Sequence, residues 1–320
     1  MDVLSDVFDV LRLRSSSLFR ATLHAPWAVT MPGQPDVAPC YIVSSGSCVV
    51  EVVGNPTPLH LRQHDLVLLP HGNTHILRAE QGGTPVTLAD LRAAADRPGA
   101  ARELSYGGEG PATVLIVGAF QLERRLANLL FPDAGAVVYV RAGEANPGEW
   151  LDMLSALICG EALAGQPGGN LAVSRLMDLL FLQLVRGHIA ADPEPGQNGS
   201  FLRALADPQL LKALELIHQH PEHAWTVAEL AARVNMSRTA FATRFARIAG
   251  VPPLMYVRQW RMLLASAQLR RGDGTLDEIA ERAGYDSGPA FAKAFKRETG
   301  LTPGAYRRKA ARGMGLGAGG

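Results

Sequence analysis

The sequence predicts a protein of the α+β class with two domains: an N-terminal β-barrel or sandwich with two following helices, and a C-terminal all-α domain. Three observations predict this. A stretch of about thirty residues occurs twice in the last third of the chain, which is typical of a duplicated supersecondary unit. Between about Val37 and Leu122, apolar residues fall into short runs bounded by Gly, Pro and Asn, as in β-sheet proteins. A length of 320 residues, 47% of them apolar, suits two cores.

The first residues are acidic, and no basic segment precedes an apolar run there. We therefore expect no signal peptide. No apolar run reaches the length of about 18 residues that a membrane span needs, so we expect no membrane insertion and a cytoplasmic protein. Three scattered cysteines (Cys40, Cys48 and Cys159) are too few for a disulfide framework. Lone cysteines are usually buried as small apolar side chains, although a redox response of Cys40 and Cys48 stays open.

Short strands at close spacing are expected in the first half of the chain, which favours a β-sandwich or β-barrel. We expect them at Cys40–Val43, Cys48–Val53, Asp65–Leu69, His75–Ala79, Val86–Leu91 and Thr113–Gly118.

The segment PLHLRQHDLVLLPHGNTHIL, residues 58–77, has a polar turn with aspartate, an apolar strand, Pro-x-Gly and then a histidine. This order resembles the cupin barrel. Cupin enzymes hold a metal through a His-x-His pair, a glutamate and a later histidine. Here the first strand reads Cys40-Tyr41-Ile42, and only His75 matches a ligand position, although His60, His64 and His71 could still gather near it. Since a metal site needs three or four converging donors, we expect no metal and no other cofactor.

We expect a small-molecule pocket in such a barrel, because barrel mouths and interiors are common ligand sites. We expect Tyr41, His64 and His75 to form its polar lining. Two amphipathic helices should follow, at Glu149–Leu163 and Leu171–His188, and their apolar faces leave two alternatives open. They pack on the barrel, or they pair with a second copy of the chain in a homodimer.

Each repeated segment of the last third predicts a helix-turn-helix. Thr226 and Thr275 each stand three residues before a glutamate, Glu229 and Glu278, which is the spacing of a capping box. A turn follows at Asn235-Met236 in the first copy and at Gly284-Tyr285 in the second. A new cap then opens a second helix, at Ser237 in one copy and at Asp286 or Ser287 in the other.

The second helix of each copy has phenylalanines four residues apart, Phe241 with Phe245 and Phe291 with Phe295, which leaves the opposite face polar and basic. An amphipathic helix at Leu254–Arg271 should hold the two copies at a fixed separation. Because the major groove of DNA returns about every 34 Å, two rigidly spaced helices can enter successive grooves on one face.

Three segments carry a resemblance to a known family: AELAARVNMSRTAFATRFARIAG (228–250), Trp260-Arg261-Met262 with Ala265, and IAERAGYDSGPAFAKAFKRETGLTPGAYR (279–307). They resemble the DNA-binding domain of AraC/XylS-type transcription regulators. The resemblance implies recognition helices at Arg238–Arg247 and Gly288–Glu298, double-stranded DNA and RNA polymerase as partners, and activation of transcription. It also implies a small-molecule effector, because one branch of that family has a cupin-type sensor at its N-terminus.

The charge distribution agrees with a DNA-binding C-terminal domain and an N-terminal domain that does not bind DNA. Residues 207–320 contain 17 Lys and Arg against 10 Asp and Glu, whereas residues 1–206 contain 14 against 20. A basic segment joined to an acidic one is the electrostatic signature of a DNA-binding module attached to a domain that avoids DNA.

Position matching to the family assigns the DNA contacts. On the first helix we expect base contacts from Thr239, Ala242 and Thr243, beside Arg238. On the second helix we expect outward-facing residues at Ser287, Gly288, Pro289, Ala292 and Lys293, with Lys293 reading a base. Phosphate contacts are expected from Arg244, Arg247, Lys296, Arg297 and the Arg307–Lys309 cluster.

The expected domains are a cupin-like sensor with its helical segment (1–189), a linker (190–200), the DNA-binding domain (201–310) and a disordered tail (311–320). Two other functions stay open: a cupin-fold metalloenzyme that carries a DNA-binding domain, and a ligand-independent architectural DNA binder. We expect a regulator and no enzyme.

Overall fold

A computed structural model describes residues 2–11, 15–93, 103–133, 137–141, 147–164, 166–191 and 199–315. The chain divides into two compact units. The barrel unit is Leu13–Pro195, and the helical unit combines Met1–Arg12 with Gly196–Gly320. The two-domain α+β fold is therefore confirmed. The boundary differs from the expected one in that the first twelve residues group with the C-terminal unit.

The described strands of the barrel unit form two sheets. The larger sheet has the order β11 (Val138–Val140), β6 (Leu66–Leu68), β3 (Val37–Ser45), β10 (Ala112–Gln121), β1 (Ser15–His24) and β9 (Glu103–Gly107). The smaller sheet has the order β5 (Leu59–Arg62), β4 (Ser47–Val52), β7 (His75–Arg78), β2 (Ala28–Met31) and β8 (Pro85–Thr87). Neighbours pair antiparallel, except that β9 joins β1 and β8 joins β2 in parallel.

The core of this unit lies between the inward faces of the two sheets. Both sheets contribute side chains that alternate along their strands, as a half-buried strand requires. They include Tyr41 and Val43 from β3, Cys48 and Val50 from β4, and Leu77 from β7.

Most of the expected strands are present, with one clear error at Val86–Leu91. Only Pro85–Thr87 is a strand, and α2 (Leu88–Ala93) is a helix. Thr87 and Asp90 explain the change, because the Asp90 N–H donates to Thr87 Oγ1 (3.1 Å) and the Thr87 N–H donates to Asp90 Oδ2 (3.3 Å). This is a reciprocal cap, and it starts a helix where alternation alone predicted a strand.

The two expected helices after the barrel are α4 (Pro147–Ala164) and α5 (Gly169–Ala191), and a short helix α3 (Arg124–Leu130) precedes them. The α4 and α5 helices contact each other and β1. The Phe181 ring lies 5.0 Å from the Phe120 ring of β10. The alternative in which these helices pack on the barrel is therefore confirmed.

The helical unit contains the N-terminal helix α1 (Val3–Leu11) and a run of C-terminal helices. These are α6 (Phe201–Leu205), α7 (Pro208–Gln219), α8 (Val227–Arg233), α9 (Arg238–Ala249), α10 (Pro253–Arg271), α11 (Leu276–Arg282), α12 (Gly288–Thr299) and α13 (Pro303–Gly315). Two helix-turn-helix units, α8–α9 and α11–α12, are joined by α10, as the repeat predicted.

The helices α6 and α7 are separate because Asp207 caps α7 and Pro208 occupies its first turn. One expectation in this region was wrong. The tail was expected to be disordered from residue 311, but α13 continues to Gly315, since alanine and arginine favour helix. Residues 316–320 and most of the expected linker (192–198) lie outside the described residues.

The helix α1 packs on α7 and α10 through its apolar face. Val3, Leu4, Val7 and Val10 are all buried. The guanidinium groups of Arg270 and Arg271 donate to the carbonyls of Val10 (3.3 Å) and Asp9 (2.8 Å). These bonds satisfy carbonyl groups that the last turn of a helix leaves without partners.

Candidate nucleic-acid interface

The first helix of each unit begins at the predicted threonine. Thr226 Oγ1 accepts a hydrogen bond from the Glu229 N–H at 3.1 Å, and Thr275 Oγ1 accepts one from the Glu278 N–H at 3.3 Å. Only the second copy closes the full capping box, because Glu278 Oε2 also accepts from the Thr275 N–H at 2.9 Å. In the first copy the Glu229 carboxylate pairs instead with His223 at 3.1 Å.

The turn that follows has the same geometry in both copies. Asn235 and Gly284 occupy aligned positions and have φ angles of 57° and 70°. The next residue donates its N–H back to the helix: Met236 to the Ala231 carbonyl and Tyr285 to the Ala280 carbonyl, both at 2.9 Å. A left-handed residue here lets the chain reverse and begin the next helix, and asparagine and glycine are the residues that tolerate it.

The second helices α9 and α12 begin at serine caps. Ser237 Oγ accepts from the Ala240 N–H at 3.3 Å, and Ser287 Oγ accepts from the Ala290 N–H at 3.4 Å. Ser287 rather than Asp286 is therefore the cap of α12. The four phenylalanines of the two helices are fully buried, so the opposite faces of α9 and α12 point away from the core.

Most of the predicted DNA contacts lie on these outward faces. The exposed residues are Arg238, Thr239, Thr243 and Arg247 on α9, Ser287 before α12, and Pro289, Lys293, Lys296 and Arg297 on α12. Ala242 and Ala292 are half-buried at the edges of the same faces.

Gly288 is a correction, because it is buried and does not face outward. A Cβ atom placed on it would lie 2.4 Å from Asp277 Oδ1 of the neighbouring helix α11. The Asp277 carboxylate therefore occupies the space beside Gly288, and a side chain at this position would have to displace it. Counting residues around the helix placed Gly288 outward, since the count ignores how tightly the preceding helix packs.

Arg244, a predicted phosphate contact, also has a partner within the protein. Its Nε and Nη2 atoms donate to Asp207 Oδ2 at 2.9 and 2.7 Å. Arg307 is likewise half-buried, and its Nη2 donates to the Gly274 carbonyl at 3.1 Å, whereas Arg308 and Lys309 are exposed. The aspartate before a proline was a readable cap signal, but its arginine partner on another helix was not.

In the barrel unit, the predicted pocket residues Tyr41 and His75 lie together inside the core. The Tyr41 hydroxyl is 2.6 Å from His75 Nε2, and His75 Nδ1 is 2.7 Å from the Asn73 carbonyl. Because a carbonyl oxygen only accepts, Nδ1 carries the proton and Nε2 accepts from the tyrosine. Burial lowers the pKa of His75, which favours this neutral form.

The third predicted pocket residue, His64, lies half-buried in the turn between β5 and β6 with a φ of 71°.

Within the described residues, no three His, Cys, Asp or Glu side chains are grouped so as to hold a metal ion. None of the described helices is both long and apolar enough to cross a membrane.

The two units match two known domain families. Residues 2–190 match a cupin family, and residues 230–309 match a helix-turn-helix domain family. A protein of Streptomyces antibioticus named as an AraC-like transcription regulator is 33% identical over 311 residues, which cover 96% of this chain and 99% of the relative. The HTH-type transcriptional regulator AlkR of Acinetobacter baylyi is 30% identical, over 97% of this chain and all of that protein. The crystal structure of the DNA-binding domain of AdpA in complex with a target DNA is 35% identical, covers 32% of this chain and 92% of that domain, and has a TM-score of 0.31.

The fold, the capped helix pairs and the full-length relatives define a DNA-binding transcription regulator with a cupin-like N-terminal domain. The chain belongs to the AraC family of transcription regulators.

Proposed function

We propose that this regulator reads one promoter through α9 and α12, placed in neighbouring major grooves, and activates transcription by contacting RNA polymerase when a small molecule occupies the barrel. The observation that carries the DNA-reading part is the pair of serine-capped helices, each with buried phenylalanines on one face and exposed polar or basic residues on the other. Since the DNA backbone is anionic and the base edges are accessible only from the grooves, such faces suit DNA.

On this proposal the two helices read bases differently. Thr239, Ala242 and Thr243 present methyl groups and hydroxyls, which suit thymine methyls and single hydrogen bonds. Lys293 presents an ammonium group that reaches guanine O6 and N7. Arg247, Lys296 and Arg297 carry charge at the sides of these faces and contact phosphate, which sets affinity and salt dependence and does not read sequence.

A comparison of two lysines on α12 tests this assignment. Lys293→Ala should lower affinity for the selected operator by about 1–3 kcal/mol and relax the preference at one base pair. Lys296→Ala should weaken binding to operator and random duplex alike and reduce the salt dependence by about one charge. Fluorescence anisotropy with both duplexes at several salt concentrations measures this. If the two variants lose equally on operator and random duplex, the assignment of Lys293 fails.

The effector part of the proposal concerns the barrel unit. Its predicted polar groups are Tyr41 and His75 in the core and His64 in the turn between β5 and β6. The buried Tyr41–His75 pair is a polar feature in an otherwise apolar core, which suits a ligand that exchanges hydrogen bonds with it. A small molecule that raises the unfolding temperature of the full chain, and raises it less in Tyr41→Phe, supports this site. A chain that no ligand stabilises would favour the architectural alternative.

We further propose that the active form is a homodimer through α4 and α5. These helices pack on the barrel, yet Met153, Leu157, Leu171 and Leu179 remain exposed. Met153 and Leu157 are four residues apart on α4 and so share one helix face, and exposed apolar side chains on one face suit an interaction site. Sedimentation equilibrium of the full chain, with Leu157→Glu as a disrupting variant, tests this. We propose no enzymatic role, and we assign the protein to the cytoplasm because its partner is promoter DNA.

A further inference from the structure

The chain segment before the first helix-turn-helix unit contacts the far end of the first recognition helix. The Ser200 N–H donates to the Ile248 carbonyl of α9 at 2.9 Å. Gly199 lies against the backbone beside it, since a Cβ atom there would be 2.5 Å from both the Arg247 carbonyl oxygen and the Gly250 nitrogen. We call the segment Gly199–Asp207 the brace.

The other end of the brace holds α9 through an ion pair. Asp207 Oδ2 accepts both hydrogen bonds from Arg244, while Asp207 Oδ1 accepts from the N–H groups of Gln209 and Leu210 at 3.1 Å. One carboxylate thus caps α7 and binds α9. Burial alone would raise the pKa of Asp207, but these hydrogen bonds outweigh it and the pKa is lowered. Arg244 and Ile248 lie one helical turn apart, so the brace holds α9 at two successive turns.

The second copy of the repeat differs at the aligned positions. Where α9 has Arg244, α12 has Ala294, which has no charge to pair. Where Gly250 meets the Gly199 carbonyl, a Cβ atom on Gly300 would have no heavy atom within 4 Å in the part of the chain that the structure describes. The two units therefore share caps, turns and phenylalanines, and they differ in the external support of the recognition helix.

We propose that the brace positions α9 on its DNA half-site, so that base discrimination under α9 depends on Gly199, Asp207 and Arg244 while discrimination under α12 does not. This inference rests on the proposed reading of DNA by both helices. The three residues are positioning residues, because they act on the bases only through α9. Small displacements of a recognition helix matter because hydrogen bonds to base edges weaken steeply with distance and angle.

The test uses the full-length chain and a duplex that the wild-type protein selects from a random-sequence library. Two further duplexes carry a scrambled half-site each, and the half-site at which Lys293→Ala relaxes the sequence preference is the one under α12. Gly199→Ala should weaken binding to the intact operator by about tenfold, which corresponds to about 1.4 kcal/mol. The same loss should persist when the α12 half-site is scrambled and disappear when the α9 half-site is scrambled.

Gly304→Ala is the matched control, because it is the same glycine-to-alanine substitution and also lies in the helical unit. Its nearest neighbour would be Arg308 Nη1 at 3.6 Å, an ordinary contact distance, so affinity should stay within about twofold. Asp207→Asn is the second variant, and it serves if Gly199→Ala fails to fold. The asparagine oxygen can still cap α7, but its NH₂ group faces the donors of Arg244 and breaks the pair.

A double-mutant cycle separates positioning from phosphate contact. If Arg244 acts through Asp207, Arg244→Ala should cost little in the Asp207→Asn background; if it contacts phosphate, the two losses should add. Folded variants that lose affinity equally on both half-sites, or on neither, would overturn the inference. A wild-type protein indifferent to scrambling of either half-site would instead overturn the DNA reading on which it rests.

Discussion

Val7 tests whether α1 is part of the helical unit. Its side chain is completely buried between α1 and the helices α7 and α10. Val7→Ala removes two carbon atoms from this contact, at about 0.8 kcal/mol for each, and leaves a small cavity that adds to the loss. The expected cost is therefore about 1.5–3 kcal/mol.

The substitution is expected to open α1 alone and to leave the rest of the helical unit folded, which determines how its cost is measured. An isolated helix of nine residues is unstable in water, so α1 unfolds once it leaves α7 and α10. The rest of the unit keeps its own core, and the substitution therefore shows as local opening. Amide hydrogen exchange followed by mass spectrometry should show α1 exchanging roughly 10 to 100 times faster, since each factor of ten corresponds to about 1.4 kcal/mol.

Val53→Ala is the matched control, because Val53 is 66% exposed and the same two carbon atoms are lost to solvent. Its exchange pattern should equal that of the wild-type protein. Faster exchange in β3 and β4 rather than in α1 after Val7→Ala would refute the grouping of α1 with the helical unit. An unchanged pattern would refute the burial of Val7.

Two further predictions concern the same unit. His218 is buried, hydrogen-bonded to Tyr256 at 2.7 Å and 3.5 Å from Asp6, and burial lowers its pKa to about 3. Between about pH 6.5 and 3, His218 is protonated in the unfolded chain and neutral in the folded chain. The free energy of unfolding should therefore fall on acidification by up to about 1.4 kcal/mol per pH unit. Denaturant titrations should show a smaller pH dependence in His218→Gln. Glu278→Ala should lower the unfolding temperature more than Glu229→Ala, because only Glu278 completes a capping box; equal shifts in calorimetry would contradict this.

The duplicated helix pairs could be predicted because their signals are local. A cap, a left-handed turn residue and two phenylalanines four residues apart act within one or two helical turns, and each occurs in both copies. The strands around Tyr41 and Cys48 were predictable for the same reason, since alternation is read over a few residues. The strands β1, β2, β5, β9 and β11 were not predicted. Of these, β1, β2 and β11 lie outside the stretch between about Val37 and Leu122 in which short apolar runs were identified.

What the sequence could not predict depends on contacts between distant residues. Gly288 looks outward by helical counting, but Asp277 fills the space beside it. Arg244 was predicted to contact phosphate, and its pairing with Asp207, 37 residues earlier, could not be read from the sequence. In both cases the sequence did not indicate the contacting aspartate, because that contact depends on how the helices pack against each other.

The N-terminal helix shows the same limit in its strongest form. The spacing of Val3, Val7 and Val10 defines an apolar face but does not say which surface covers that face. In the structure α7 and α10 cover this face, and the Arg270 side chain, 260 residues from Val10, donates a hydrogen bond to the end of α1, as does Arg271. A fragment that starts at residue 199 would therefore leave this surface uncovered. The DNA-binding affinity of such a fragment is that of the two helix-turn-helix units without α1. The affinity of the units with α1 in place has to be measured on the full-length chain.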